Sequence, residues 1–117
     1  MLAALARLVQ SQVQAANVYA PSTAERWESA NGRGDCNGFA LAKRRALLAA
    51  GAPLSALHLC RCWTETDEAH LVLVVDTEDE GPLVLDNRYA APMRRQDLPG
   101  YRWVLIEDEG KWSIVAR

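Results

Sequence analysis

No stretch of this chain is apolar for long enough to cross a bilayer. A spanning helix needs about 20 apolar residues, and the opening MLAALARLVQ is broken by Arg7 and Gln10. No basic segment precedes it, so it reads as an amphipathic helix and not as a signal peptide. Charge of one sign is also scarce. Thirteen Lys and Arg against 15 Asp and Glu leave a net charge of −2, which lacks the basic footprint of a nucleic-acid binder. Cysteine occurs three times, an odd number and too few for a disulfide scaffold. Cys60 and Cys62, two apart on a strand, would face the same side and make a poor pair. All three are expected as reduced thiols, which favours the cytoplasm. Internal repeats and low-complexity linkers are missing. What remains is 117 residues, half hydrophobic and a quarter charged, enough for one core and one domain, 1–117.

Leu2, Leu5, Leu8, Val9 and Val13 recur at helical spacing and predict a first helix to about Val18, stopped by Pro21. Ser22 or Thr23 can cap a short helical turn holding Trp27. A glycine-rich approach, Asn31 to Gly34, then leads to Asp35, a good N-cap residue. The helix it opens carries Phe39, Ala42, Ala46 and Ala49 on one stripe, with Leu41 and Leu48 nearby. Gly51 suits the left-handed position after its last turn, and Pro53 follows. Lys43-Arg44-Arg45 falls inside this helix and is expected on a solvated face.

Beyond Pro53 the apolar period changes from about 3.6 to 2. SALHLCRCWTET alternates as a half-buried strand does. AHLVLVVDT is apolar on both faces, as a central strand would be. TEDEG is the turn to PLVLDNRY, and YRWVLIED with KWSIVAR forms a last hairpin. The expected architecture is α+β: two or three N-terminal helices packed on a mostly antiparallel sheet of about five strands.

One placement in this layout is chemical. Cys36 stands at the first turn of the strong helix, where unpaired N–H groups and the positive dipole end favour a thiolate. The same N–H groups suit a developing oxyanion, and the glycines before it let the backbone turn tightly. A cysteine nucleophile needs a base and a group that orients the base. Two histidines exist. His70 starts the AHLVLVVDT strand, and Asp86 lies near the end of the return strand. If Asp76 pairs with Pro82 across TEDEG, paired numbers sum to 158, and His70 and Asp86 share a face, displaced by two residues. That diagonal is about 7–8 Å, within reach of a ring and a carboxylate. A slip of one residue would separate them. A carboxylate within LVLD also needs a buried partner.

Two other motifs carry less. Arg33-Gly34-Asp35 spells an adhesion tripeptide, but its glycine and aspartate already have structural work ahead of the helix. HLCRC sets His58, Cys60 and Cys62 on one strand face, yet a zinc site wants four ligands and Cys-x-x-Cys spacing. No metal ligand is assigned there.

The run GDC…ALAKRRALLAAGAP, then HLVLVVDT, then GPLVLDN and YRW resembles the bacterial transglutaminase-like cysteine proteinases, from about Trp27 to Trp103. The resemblance implies a papain-like or transglutaminase-like fold, with Cys36 as nucleophile, His70 as general base and acid, and Asp86 orienting the imidazole. It implies a peptide or protein substrate, cleavage through a thioester, and a regulatory protein partner. The same triad would serve an amidase or transamidase, or persist in a catalytically silent interaction module. The best-known members are periplasmic proteases that cleave large surface adhesins and depend on calcium, so a periplasmic home is the alternative expectation if a leader has been removed. This chain carries Asn37 and Gly38 where the family has acidic residues after the cysteine, so calcium is not expected as a required cofactor. Gly38 is expected to widen the approach to the thiol, and Trp27 to stand in the core or cleft wall, with its indole N–H a second candidate oxyanion donor.

Overall fold

The computed structural model describes residues 1–21 and 27–115. Helix α1 (Leu2–Ala16) comes first, followed by two short strands, β1 (Val18–Tyr19) and β2 (Arg33–Gly34), that pair in parallel. Helix α2 (Cys36–Ala49) follows, and then five strands: β3 (Leu57–Trp63), β4 (Ala69–Thr77), β5 (Gly81–Leu85), β6 (Arg102–Asp108) and β7 (Lys111–Ile114). These form one antiparallel sheet in the order β5-β4-β3-β6-β7. The α+β architecture with a five-stranded sheet is the expected one. The β1–β2 ladder was not foreseen, since two-residue strands leave no periodicity to read. The turn expected around Ser22 or Thr23 lies outside the described residues, and Trp27 is in irregular chain.

Alternation along the strands sorts the side chains onto two faces. Leu57, Leu59, Leu71, Leu73, Val75, Leu83 and Leu85 pack under α1 and α2 with Ala3, Ala6, Val9, Phe39 and Leu47. Cys60, Cys62, Val72, Val74 and Val84 face the other way and are covered by Leu98 and Tyr101, from the long connection between β5 and β6. Both faces are therefore buried, which explains the near-continuous apolar run of β4. β3 and not β4 holds the centre of the sheet. Leu47 is wholly buried, and truncating such a leucine to alanine costs about 2–5 kcal/mol.

The ends of α2 follow its sequence. Asp35 caps the start, its Oδ1 accepting the Gly38 N–H at 2.9 Å. At the other end Gly51 adopts φ +96°, and the N–H groups of Gly51 and Ala52 donate to the carbonyls of Leu48 and Leu47, a Schellman closure. The buried stripe differs from expectation. Phe39, Ala40, Lys43 and Leu47 point inward while Leu48 and Ala49 are exposed. The basic run is thus divided: Arg45 is solvated, but Lys43 is completely buried.

Candidate active site

Cys36 is half-buried at the first turn of α2. The approach to it is clamped by the parallel ladder, in which the Ala20 N–H donates to the Gly34 carbonyl at 2.9 Å and the Val18 N–H to that of Gly32 at 3.0 Å. Gly34 is needed here for closeness: a Cβ on it would lie 3.0 Å from the Ala30 Cβ. Gly38 plays a similar part, and this corrects the expectation that it opens the cleft. It is buried, its carbonyl accepts the Ala30 N–H at 2.9 Å, and a Cβ there would stand 3.3 Å from the Glu28 carbonyl oxygen. The missing side chain lets the chain around residues 28–30 pack onto the helix start.

The β4–β5 register pairs Asp76 with Pro82 and ends at Leu73 with Leu85, so the parity expected from the turn holds. Just beyond the ladder, His70 Nε2–H donates to Asp86 Oδ1 at 2.8 Å. The Cys36 thiol, whose Sγ donates to Asn37 Oδ1 at 3.7 Å, lies near enough to the His70 ring to help raise its pKa. With Nε2 engaged by the carboxylate, Nδ1 is the nitrogen left for the sulfur. Cys36 and His70 line one cavity of about 480 Å³, with Tyr19, Thr64, Glu68 and Arg88 also in its wall. Three side chains separated by as many as 50 positions thus meet at one end of the sheet.

Asp86 is fully buried and fully engaged. Its Oδ1 also accepts the Arg88 backbone N–H at 2.9 Å, and Oδ2 accepts the Tyr101 hydroxyl at 2.5 Å. Burial works against its charge, but the His70 hydrogen bond and Coulombic attraction, then the Tyr101 and Arg88 bonds, hold its carboxyl below the ordinary range. Burial likewise opposes a charged His70 ring. The bond to Asp86, the nearby Cys36 thiol and the attraction of both outweigh it, raising His70 to about 9.

Sequence reasoning missed the residues that support this set. Tyr101 bridges Asp86 and Arg88, whose Nη1 donates to the phenol oxygen at 2.9 Å. Gln10 is wholly buried, and its Nε2 donates to the carbonyls of Asp86 and Tyr89 at 2.9 and 2.8 Å. Gln14 reaches the Asn87 carbonyl at 2.9 Å. Helix α1 therefore grips the segment that carries the carboxylate. The signal for Gln10 was present: a glutamine at a position of α1 that the helical period assigns to the core.

Other candidates lie elsewhere. The His58 ring nitrogens sit 3.0 Å from the Glu107 carbonyl oxygen and 2.9 Å from Asp76 Oδ2. Cys60 and Cys62 are buried, and burial pushes their thiols up to about 11 and about 12. Trp27 is about half exposed, with Arg61 at 5.1 Å and Trp112 at 6.3 Å from its ring. It is a surface residue outside the core, and it is not among the residues that line the Cys36 cavity.

A cysteine at the start of a helix, facing a histidine and a carboxylate on an adjoining antiparallel sheet, defines a papain-like or transglutaminase-like core. The chain belongs to the bacterial transglutaminase-like cysteine proteinases, whose sequence profile matches residues 2–116. Among solved structures, LapG of Legionella pneumophila in an EGTA-treated form superposes with a TM-score of 0.86 at 23% identity, covering 100% of this chain and 69% of that one. A calcium-bound form of the same protein gives 0.76 at 24% identity, covering 92% and 68%. A comparison with curated proteins finds no match. Among the described residues no helix is long and apolar enough to cross a membrane.

The calcium-bound relative raises the question of a cation site here. Calcium takes six to eight oxygens, several of them carboxylate. Next to Cys36 this chain offers Asp35, whose Oδ1 is already committed to the helix cap, and the amide of Asn37, which is buried. Among the described residues no group of three or more His, Cys, Asp and Glu side chains is placed to hold a metal. This donor set does not fit a calcium cage.

Proposed function

We propose that this chain is a cysteine peptidase acting on a peptide or protein substrate through Cys36, His70 and Asp86. The observation that carries the proposal is the His70 ring, 2.8 Å through Nε2 from a buried carboxylate, lining one cavity with the helix-borne thiol. Cys36 attacks the scissile carbonyl as thiolate, with His70 taking the proton. A ring raised to about 9 stays protonated through neutral pH, so His70 faces the sulfur as an imidazolium and favours its anion. The Cys36 backbone N–H at the first turn of α2 donates to the tetrahedral oxyanion. His70 then protonates the leaving amine, which departs and leaves a thioester on Cys36. Water, deprotonated by the neutral ring, attacks that thioester and releases the acid. Asp86 keeps its proton off throughout and fixes the ring orientation, with Tyr101 and Gln10 fixing Asp86. No step passes through a cation. A protein partner that controls access to the open cavity fits the same proposal.

The test is cleavage of a peptide library by the wild-type chain and by Cys36→Ala, beside competitive alkylation with iodoacetamide at pH 7. Cleavage should vanish in the alanine variant. Thiols held at about 11 and about 12 are ionised to roughly one part in 10⁴ and 10⁵ at that pH, so Cys60 and Cys62 should label very slowly and Cys36 far faster. Cleavage that survives Cys36→Ala, or equal labelling of all three thiols, defeats the proposal.

A further inference from the structure

Lysine is almost never fully buried unless paired, because its ammonium is a compact, strongly hydrated charge. Lys43 breaks that rule next to the site. It lies on α2 two turns beyond Cys36 with no exposed surface, and its Nζ has no hydrogen-bond partner among the described residues. Its amine stands 5.7 Å from the centre of the Phe39 ring. The ionised group whose field reaches it is Asp86. Helix α1, packed against α2, brings neutral Gln10 and Gln14 to the same segment, both hydrogen-bonded to carbonyls of residues 86–89. Among the described residues the side-chain oxygens of Gln10, Gln14 and Asn87 are buried and without donors. Those three acceptor oxygens thus belong to the segment that carries Asp86 or to the glutamines bound to it, and the Lys43 cation lies in the field of that carboxylate.

Charge counting gives this lysine a purpose. The reactive form of the site contains a thiolate, an imidazolium and a carboxylate, two negative charges against one positive; the Arg88 guanidinium in the cavity wall is itself paired with Glu65, and Glu68 adds a further carboxylate there. We infer that Lys43 is a positioning residue for the reaction: its fully buried ammonium, unpaired among the described residues and two turns along α2 from Cys36, adds positive charge to the interior beside the site and so favours the ion-paired form of Cys36 and His70. The inference rests on the proposed roles of those three residues.

Burial lowers Lys43 to about 7 against the pull of Asp86. The unfolded lysine holds its proton up to about 10.5, so the folded state is penalised increasingly as pH falls from there, and fully below about 7. A side chain that costs the fold this much is kept for another reason, as at sites where stability is given up for activity. Removing the charge should therefore stabilise the protein while impairing it. A lysine that merely holds the fold together would behave in the opposite way.

The experiment compares the full chain with Lys43→Met and Lys43→Arg. The Met variant should melt at a higher temperature, with the larger gain at pH 6 and little gain above pH 10. The acid limb of Cys36 alkylation against pH should move up by about half a pH unit, because loss of a nearby positive charge disfavours the anion, while the limb near pH 9, where Lys43 is already neutral, should stay in place. Alkylation at pH 6.5 should fall several-fold. Lys43→Arg keeps a charge and should hold the acid limb at its wild-type position to within about 0.3 pH units. If the Met variant does not fold, the Arg variant decides alone: a profile displaced upward by half a unit or more overturns the inference. So does a folded Met variant whose profile overlays the wild type. Either result with Cys36 still selectively labelled leaves the peptidase proposal standing, whereas loss of selectivity in the wild type removes both.

Discussion

Replacing Asp86 by asparagine keeps the shape of the side chain and removes the charge that the site is built around. In the native chain His70 is held at about 9, against an ordinary value near 6.5, a gap worth about 3 kcal/mol in favour of the charged ring. Burial alone pushes the ring the other way, and its effect is the largest single one. Without the carboxylate, the hydrogen bond at 2.8 Å loses its charge assistance and the Coulombic pull disappears. His70 should then titrate below about 7. The alkaline limb of kcat/KM, expected near pH 9 in the wild type, should move down by about two pH units. At neutral pH, kcat/KM should fall on the order of 10²-fold, the equivalent of those 3 kcal/mol. Stability carries its own sign. A histidine raised by folding stabilises the native state fully below its unfolded value and loses that contribution as pH rises through about 9. The difference in melting temperature between wild type and Asp86→Asn should therefore be widest near pH 6 and narrow toward pH 9.5. The assay is NMR titration of the imidazole Cε1–H signals, read alongside the pH–rate profile. With two histidines in the chain, a His58→Gln variant assigns both. A His70 signal that titrates within half a unit of the wild type in Asp86→Asn would refute the electrostatic argument.

Two further predictions concern the surroundings of that carboxylate. Tyr101→Phe removes the hydroxyl that donates to Asp86 Oδ2 and accepts from Arg88. An unsatisfied buried carboxylate oxygen costs about 1–3 kcal/mol, so thermal denaturation should shift down and kcat should fall roughly tenfold, with KM little changed. An unchanged kcat would mean that His70 alone fixes the aspartate. Treatment with EGTA should leave peptide cleavage and Cys36 labelling unaltered, since Asp35 is committed to its cap and residue 37 is an amide. Activity lost to the chelator and restored by calcium would show that a cation site forms from groups other than these.

Local pattern was enough to place most elements. Asp35 before the helix, Gly51 after it, the period of two in β3 and the TEDEG turn each act through neighbouring residues, so they are readable one window at a time. The turn mattered most, since fixing Asp76 opposite Pro82 set the parity that allows His70 and Asp86 to meet. What the sequence left open depends on which face of an element finds company. Lys43 carries the same letters as a solvated lysine, and only the packing of α2 against α1 and β4 encloses it. Gly38 looked like open space until residues 28–30 came to rest against it.

The chain's own order of residues determined the helix start, the thiol on it and the register of the hairpin, because caps, turns and alternation are short-range physics. Tertiary structure alone decided that Tyr101 and Gln10 close around Asp86, and that Lys43 is enclosed. Those contacts join residues separated by up to 76 positions, and burial, which sets the charge of every group in the site, exists only once the layers have packed.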